Sequence, residues 1–162
     1  MNMIPREWLD KGTNAQSPVD ALADFWRAFN NLFSSATGRT DGEKIHRFLA
    51  SQISAGDALR ILTNHSRQTE YLTSRPVIDM RGNGRDTSNA TTEFRLESSN
   101  PQQRLSAIFK IIYMIRCNLE HGQKSPRDSR DIQLCENASP LVFAVVESSL
   151  IGLGRNACAS DE

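Results

Sequence analysis

The sequence predicts an all-α bundle of about five helices. Three observations point there. Apolar residues recur at helical three- and four-residue spacing in several separate stretches. A capping residue followed by proline opens two of them, at Ser17-Pro18 and Asn100-Pro101. No stretch reads convincingly as a strand, and no internal repeat is present. The chain has 162 residues, most simply one domain, 1–162, with one core.

Residues 1–16 carry little periodicity and read as a loose lead-in, as does the tail 154–162. Helix 18–35 places Leu22, Phe25, Trp26, Phe29 and Phe33 on one face. That aromatic stripe reads as core, not as a base-stacking platform. Helix 41–53 aligns Ile45, Phe48, Leu49 and Ile53, and helix 57–72 carries Leu59, Leu62 and Tyr71. Residues 75–99 hold many glycines, asparagines, serines and threonines with few apolar residues, and read as a long flexible loop. A short hairpin at Gly82-Asn83-Gly84 has only weak alternation on either side. A long helix runs from Asn100-Pro101 to His121, with Gly122 as its stop. The last helix starts near 128–131 and contains Pro140, which should kink or loosen it.

The composition excludes several function classes. Nineteen basic and nineteen acidic residues cancel, so the chain is no general polyanion binder and any RNA contact must come from local clustering. Near-continuous apolar runs of roughly ten residues fall short of the ~20 that span a bilayer. No secretory signal is apparent at the N-terminus. No membrane partner and a cytoplasmic location are expected. Cys117, Cys135 and Cys158 form neither a disulfide framework nor a metal pair. His46 and His65 lack metal-ligand spacing. No metal and no cofactor are expected, and no nucleotide-binding or nucleophile-elbow motif occurs.

The informative stretch is Ile115 to Lys124, "IRCNLEHGQK". On a helix turning ~100° per residue, Arg116 falls on the apolar stripe of Leu105, Ile108, Phe109 and Ile112. A guanidinium cannot lose its charge there, so it needs a partner, a cleft or a second chain. Glu120, four residues on, is the simple structural partner. Ile111, Met114 and Ile115 spread apolar surface beyond one stripe, as in a helix that is central or packs on another subunit. His121 lies ~140° round from Arg116. One chain alone need not join them, whereas two chains related by a two-fold axis could. Lys124, Arg127 and Arg130 then add local positive charge.

"YMIRCNLEHGQKSPRDSRD" in a long helix before a final helix resembles the signature segment of HEPN domains: an arginine, four to six residues, then a histidine. Asn118, Gly122, Lys124 and Arg130-Asp131 sharpen the likeness, and "DFWRAFNNLF" resembles the first helix of a bacterial subgroup. The resemblance implies a helical bundle that forms a homodimer with a composite site. It also implies a metal-independent endoribonuclease, with RNA as substrate, acting as a toxin with a cognate antitoxin or as a phage-defence effector. Arg116 would hold the scissile phosphate, His121 would be general acid or base, and Asn118 would orient either. Lys124, Arg127 and Arg130 would bind RNA phosphates. The resemblance also admits a non-catalytic module that binds RNA, nucleotide or protein. The chain departs from many active members in placing Cys117, not a polar residue, directly after the arginine.

Overall fold

A computed structural model of the protein describes residues 3–121 and 128–159, with side chains as far as residue 154. The described residues form eight helices: α1 Ile4–Thr13, α2 Pro18–Phe33, α3 Asp41–Gln52, α4 Ala55–Asn64, α5 Ser66–Ser74, α6 Ser88–Arg95, α7 Pro101–Glu120 and α8 Ser129–Ala159. The all-α class holds, with eight helices where about five were expected.

The starts follow from side-chain chemistry. Ser17 Oγ accepts the Asp20 N–H at 3.1 Å and donates to the Asp20 carboxylate at 2.8 Å. Thr40 and Ser54 accept the N–H groups of Glu43 and Asp57. Asn100 and Gln103 form a reciprocal capping box, both bonds at 2.9 Å. Each such cap is worth about 1 kcal/mol.

The aromatic stripe of α2 is core, as expected. Phe29 is fully buried and meets Trp26 at 5.2 Å, Phe48 of α3 at 5.7 Å and Phe109 of α7 at 5.0 Å, all edge-to-face. Phe25 meets Phe143 of α8 at 5.5 Å. α2 thus joins α1 and α8, while α7 packs against α3, α4 and α6. Ile111, Ile112 and Ile115 are all buried in the single chain. The many-sided apolarity of α7 is therefore satisfied by its own neighbours.

Beyond the tail, where residues 154–159 continue α8 instead of fraying, three expectations need correction. Residues 4–13 are not a loose lead-in but α1, which lays Pro5, Leu9 and Gly12 on the fold. Gly12 permits the approach: a Cβ there would sit 2.6 Å from the Phe25 ring. A face built on proline and glycine has little hydropathy, which hides it in the sequence. The third helix is two, broken at His65 (φ −120°, ψ 32°), so that α4 packs on α7 and α5 on α8. Leu59, expected inside, is 55% exposed, and Ala58 and Ile61 take the buried positions.

The third correction concerns residues 75–99, which are not one long flexible loop. They hold a hairpin and α6. Ile78 and Asp86 pair antiparallel. The Asp79 N–H donates to the Arg85 carbonyl at 2.9 Å, and the Thr87 N–H to the Val77 carbonyl at 3.1 Å. The turn uses Gly82 and Gly84 at φ 77° and 73°, in the left-handed region that glycine tolerates. Buried Asp79 fastens the loop by accepting from Arg81 and from Asn83 at 2.8 Å. α6 then lays Ala90 and Phe94 against the core. Polar side chains, rather than an apolar pattern, order this segment.

α8 continues through Pro140, which has no N–H to offer the preceding turn. Over Ser129–Gly154 it is long and apolar enough, by length and composition, to cross a bilayer, with mean hydropathy 1.3. The core helix of a globular fold meets the same test. Here Leu134, Cys135, Ala138, Leu141, Val142, Val145 and Val146 are buried within the chain.

Candidate functional site

The last turn of α7 sends its polar residues to different places. Arg116 leaves the apolar stripe at its edge, with a side chain 29% exposed. It lines a cleft of about 270 Å³ between α2 and α7 with Val19, Leu22, Trp26, Arg27 and Glu120. Its guanidinium makes a two-pronged pair with Glu120, at 2.9 and 2.8 Å, and stands 5.9 Å from the centre of the Trp26 ring. The part-exposed cation thus has both a partner and a cleft. The Glu120 side chain is 53% exposed, so solvent screens the pair and an incoming anion can compete for the fork.

His121 is the residue that ends α7. Its N–H donates to the Cys117 carbonyl at 3.1 Å, its backbone sits at φ −80°, ψ 5°, and it is exposed. It is not among the residues lining the Arg116 cleft.

Asn118 is 2% exposed. Its Nδ2 donates to the Ile78 carbonyl at 2.9 Å, and its Oδ1 accepts the Met80 N–H at 3.1 Å. Both ends of the amide are taken up in holding the hairpin. The expected role of orienting a phosphate or His121 would have to use the second N–H or the second oxygen lone pair of this buried amide. Cys117 is also buried. Burial first, and then neighbouring Cys117, pushes the Tyr113 phenol up to about 12.

Arg130 lies on the hairpin side of the molecule. Its Nη2 donates to the Arg75 and Pro76 carbonyls at 3.3 and 3.2 Å, in a cleft of about 710 Å³ also lined by Ile78, Met80, Asp86, Asp128 and Asp131. Burial first, and then nearby Arg75, lower its pKa. Among the described residues, three carboxylates and two guanidiniums line this cleft. Lys124 and Arg127, and the Gly122 stop, lie outside the described residues.

The remaining histidines serve structure. His46 Nδ1 is 3.0 Å from Ser106 Oγ, and His65 Nδ1 donates to the Ile61 carbonyl at 2.7 Å. Burial pushes the Cys135 thiol up to about 12, as suits a packing residue.

Sequence reasoning missed one residue of this region. α1 brings Trp8 to the Arg116 side of the fold, where both line a second cleft of about 340 Å³. Its signal was slight: a proline in the first turn, then Leu9 and Gly12 at helical spacing.

Compared with known proteins, the chain matches no family model, no curated protein and no solved structure.

Proposed function

We propose that the protein is a HEPN-like endoribonuclease that cleaves RNA without a metal, as a homodimer with a composite site. The observation that carries this reading is the placement of Arg116. It is a helix-borne guanidinium, part exposed in a cleft and five residues before an exposed histidine at the helix end. Arg116 would exchange Glu120 for the scissile phosphate, which matches its planar fork. The RNA 2′-hydroxyl would attack the adjacent phosphorus, forming the new O–P bond while the bond to the 5′-oxygen breaks. His121 would take the 2′-hydroxyl proton or protonate the leaving 5′-oxygen. The products would be a 2′,3′-cyclic phosphate and a 5′-hydroxyl. Since His121 stands outside the Arg116 cleft of its own chain, a second copy would supply the histidine. A cytoplasmic toxin, with or without a cognate antitoxin, or a phage-defence effector fits such an activity.

A second reading rests on a different observation. The Glu120 fork and the buried Asn118 amide, bonded at both ends to the hairpin, leave fewer free groups than catalysis usually recruits. A non-catalytic module holding RNA, nucleotide or a protein through the Arg116 cleft would need no more.

The test is RNA cleavage in EDTA with analysis of product ends. The nuclease reading predicts cyclic-phosphate ends from the wild type and a loss of roughly 100-fold or more in Arg116→Ala and His121→Ala. Intact RNA with the wild type favours the binding module.

A further inference from the structure

We propose that the cleft between Trp8 and Arg116 is a nucleobase pocket, so that the RNA taken by this site is single-stranded. The inference rests on the ribonuclease reading and names its substrate class.

The cleft, about 340 Å³, is of a size for a small-molecule site. Trp8, Trp26, Arg27, Asn30, Ser34 and Arg116 are among the residues that line it. Trp8 is half-buried, whereas Trp26 is 3% exposed and committed to the core. Of the two indoles that line the cleft, Trp8 is the more exposed and so the one better placed to stack on a ligand. It already attracts cations, with Lys11 Nζ 4.8 Å and Arg27 Cζ 5.0 Å from its centre. Those side chains are 61% and 53% exposed. One can swing off the ring while the other stays with buried Asp24, which both now contact.

A base entering here would stack on Trp8, with the exposed Asn30 amide and Ser34 hydroxyl at its edge. Arg27 and Lys11 would meet the flanking phosphates, and Arg116 closes the other end of the same cleft. One continuous surface thus joins a stacking ring to the guanidinium assigned to the scissile phosphate. A paired base cannot reach such a ring without leaving its helix, so the pocket selects unpaired nucleotides.

The chain has two tryptophans, so Trp26→Phe leaves Trp8 as the only indole. The probe is a 2′-O-methyl oligoadenylate, which binds as a single strand and lacks the attacking hydroxyl. Its binding should quench Trp8 emission. In the otherwise wild-type chain, Trp8→Leu should weaken binding about tenfold and Trp8→Phe much less. A matched duplex should bind at least tenfold more weakly than the single strand. Binding without quenching, equal affinity for Trp8→Leu, or equal affinity for duplex overturns the pocket. Cleavage of ordinary RNA that still depends on Arg116 would then leave the nuclease reading standing. Circular dichroism shows whether each variant is folded, and the quenching readout does not require changing Trp8.

Discussion

The two sides of the last α7 turn make opposite use of polar residues. Arg116 and Asn118 are two positions apart, about 200° round the helix. On one side Arg116 is part exposed, held by an exposed acid and by the edge of an aromatic core. On the other, Asn118 is buried and both ends of its amide carry hairpin backbone. The difference teaches where function can reside. A buried amide with two backbone partners is costly to redirect, whereas a screened ion pair in a cleft is cheap to open. The hairpin side also has the larger cleft, where among the described residues carboxylates outnumber guanidiniums.

The contrast is sharpest in Asn118→Ala. It leaves the Ile78 carbonyl and the Met80 N–H without their partner, at a cost of about 1–3 kcal/mol of stability. Chemical denaturation should show the loss, with RNA affinity per folded molecule little changed. A variant as stable as the wild type that loses RNA binding would move Asn118 into the site.

A smaller effect is expected from Asp79→Asn. Arg81 above all, with Asn83, holds the Asp79 carboxyl well below the usual carboxylate range. A depressed folded pKa contributes stability above the unfolded value of about 3.9, and that contribution is lost as pH falls below it. Wild-type stability should therefore fall through the acid range more steeply than that of Asp79→Asn. Amide exchange at Asp79 and Thr87 in the variant should quicken by about tenfold at neutral pH, reporting a loosened hairpin. Equal acid profiles would mean the loop is held by its turn alone.

Glu120→Gln should have the least effect on the fold, at most about 1 kcal/mol, since the pair is screened by solvent. It should free the Arg116 fork and tighten single-stranded RNA binding a few-fold at low salt. Weaker binding would show that Glu120 positions Arg116 for its ligand.

The sequence announced what depended on apolar spacing and caps. α2, α3, α7 and the start of α8 fall close to their expected bounds, because Leu22, Phe25, Phe29 and Ile112 mark faces and Ser17 and Asn100 mark starts. α1 was concealed because its buried face is Pro5, Leu9 and Gly12, and its role is close approach rather than apolar bulk. The turn of the hairpin showed at Gly82-Asn83-Gly84, but its anchoring did not, because Asp79 and Asn118 organise it and long-range polar bonds leave no periodic trace. The Arg116–Glu120 pair was legible from helical angles. The commitment of Asn118 was not, since it depends on where residues 78–80 return.

The central claim is that Arg116 of one chain and His121 of another form one site. Complementation tests it most directly. Arg116→Ala and His121→Ala proteins should each be inactive on RNA in EDTA. Unfolded together and refolded as an equal mixture, half of the dimers should be mixed, and each mixed dimer should carry one intact site of two. The account predicts recovery of about a quarter of wild-type cleavage. A mixture that exchanges subunits yet stays at background would contradict it.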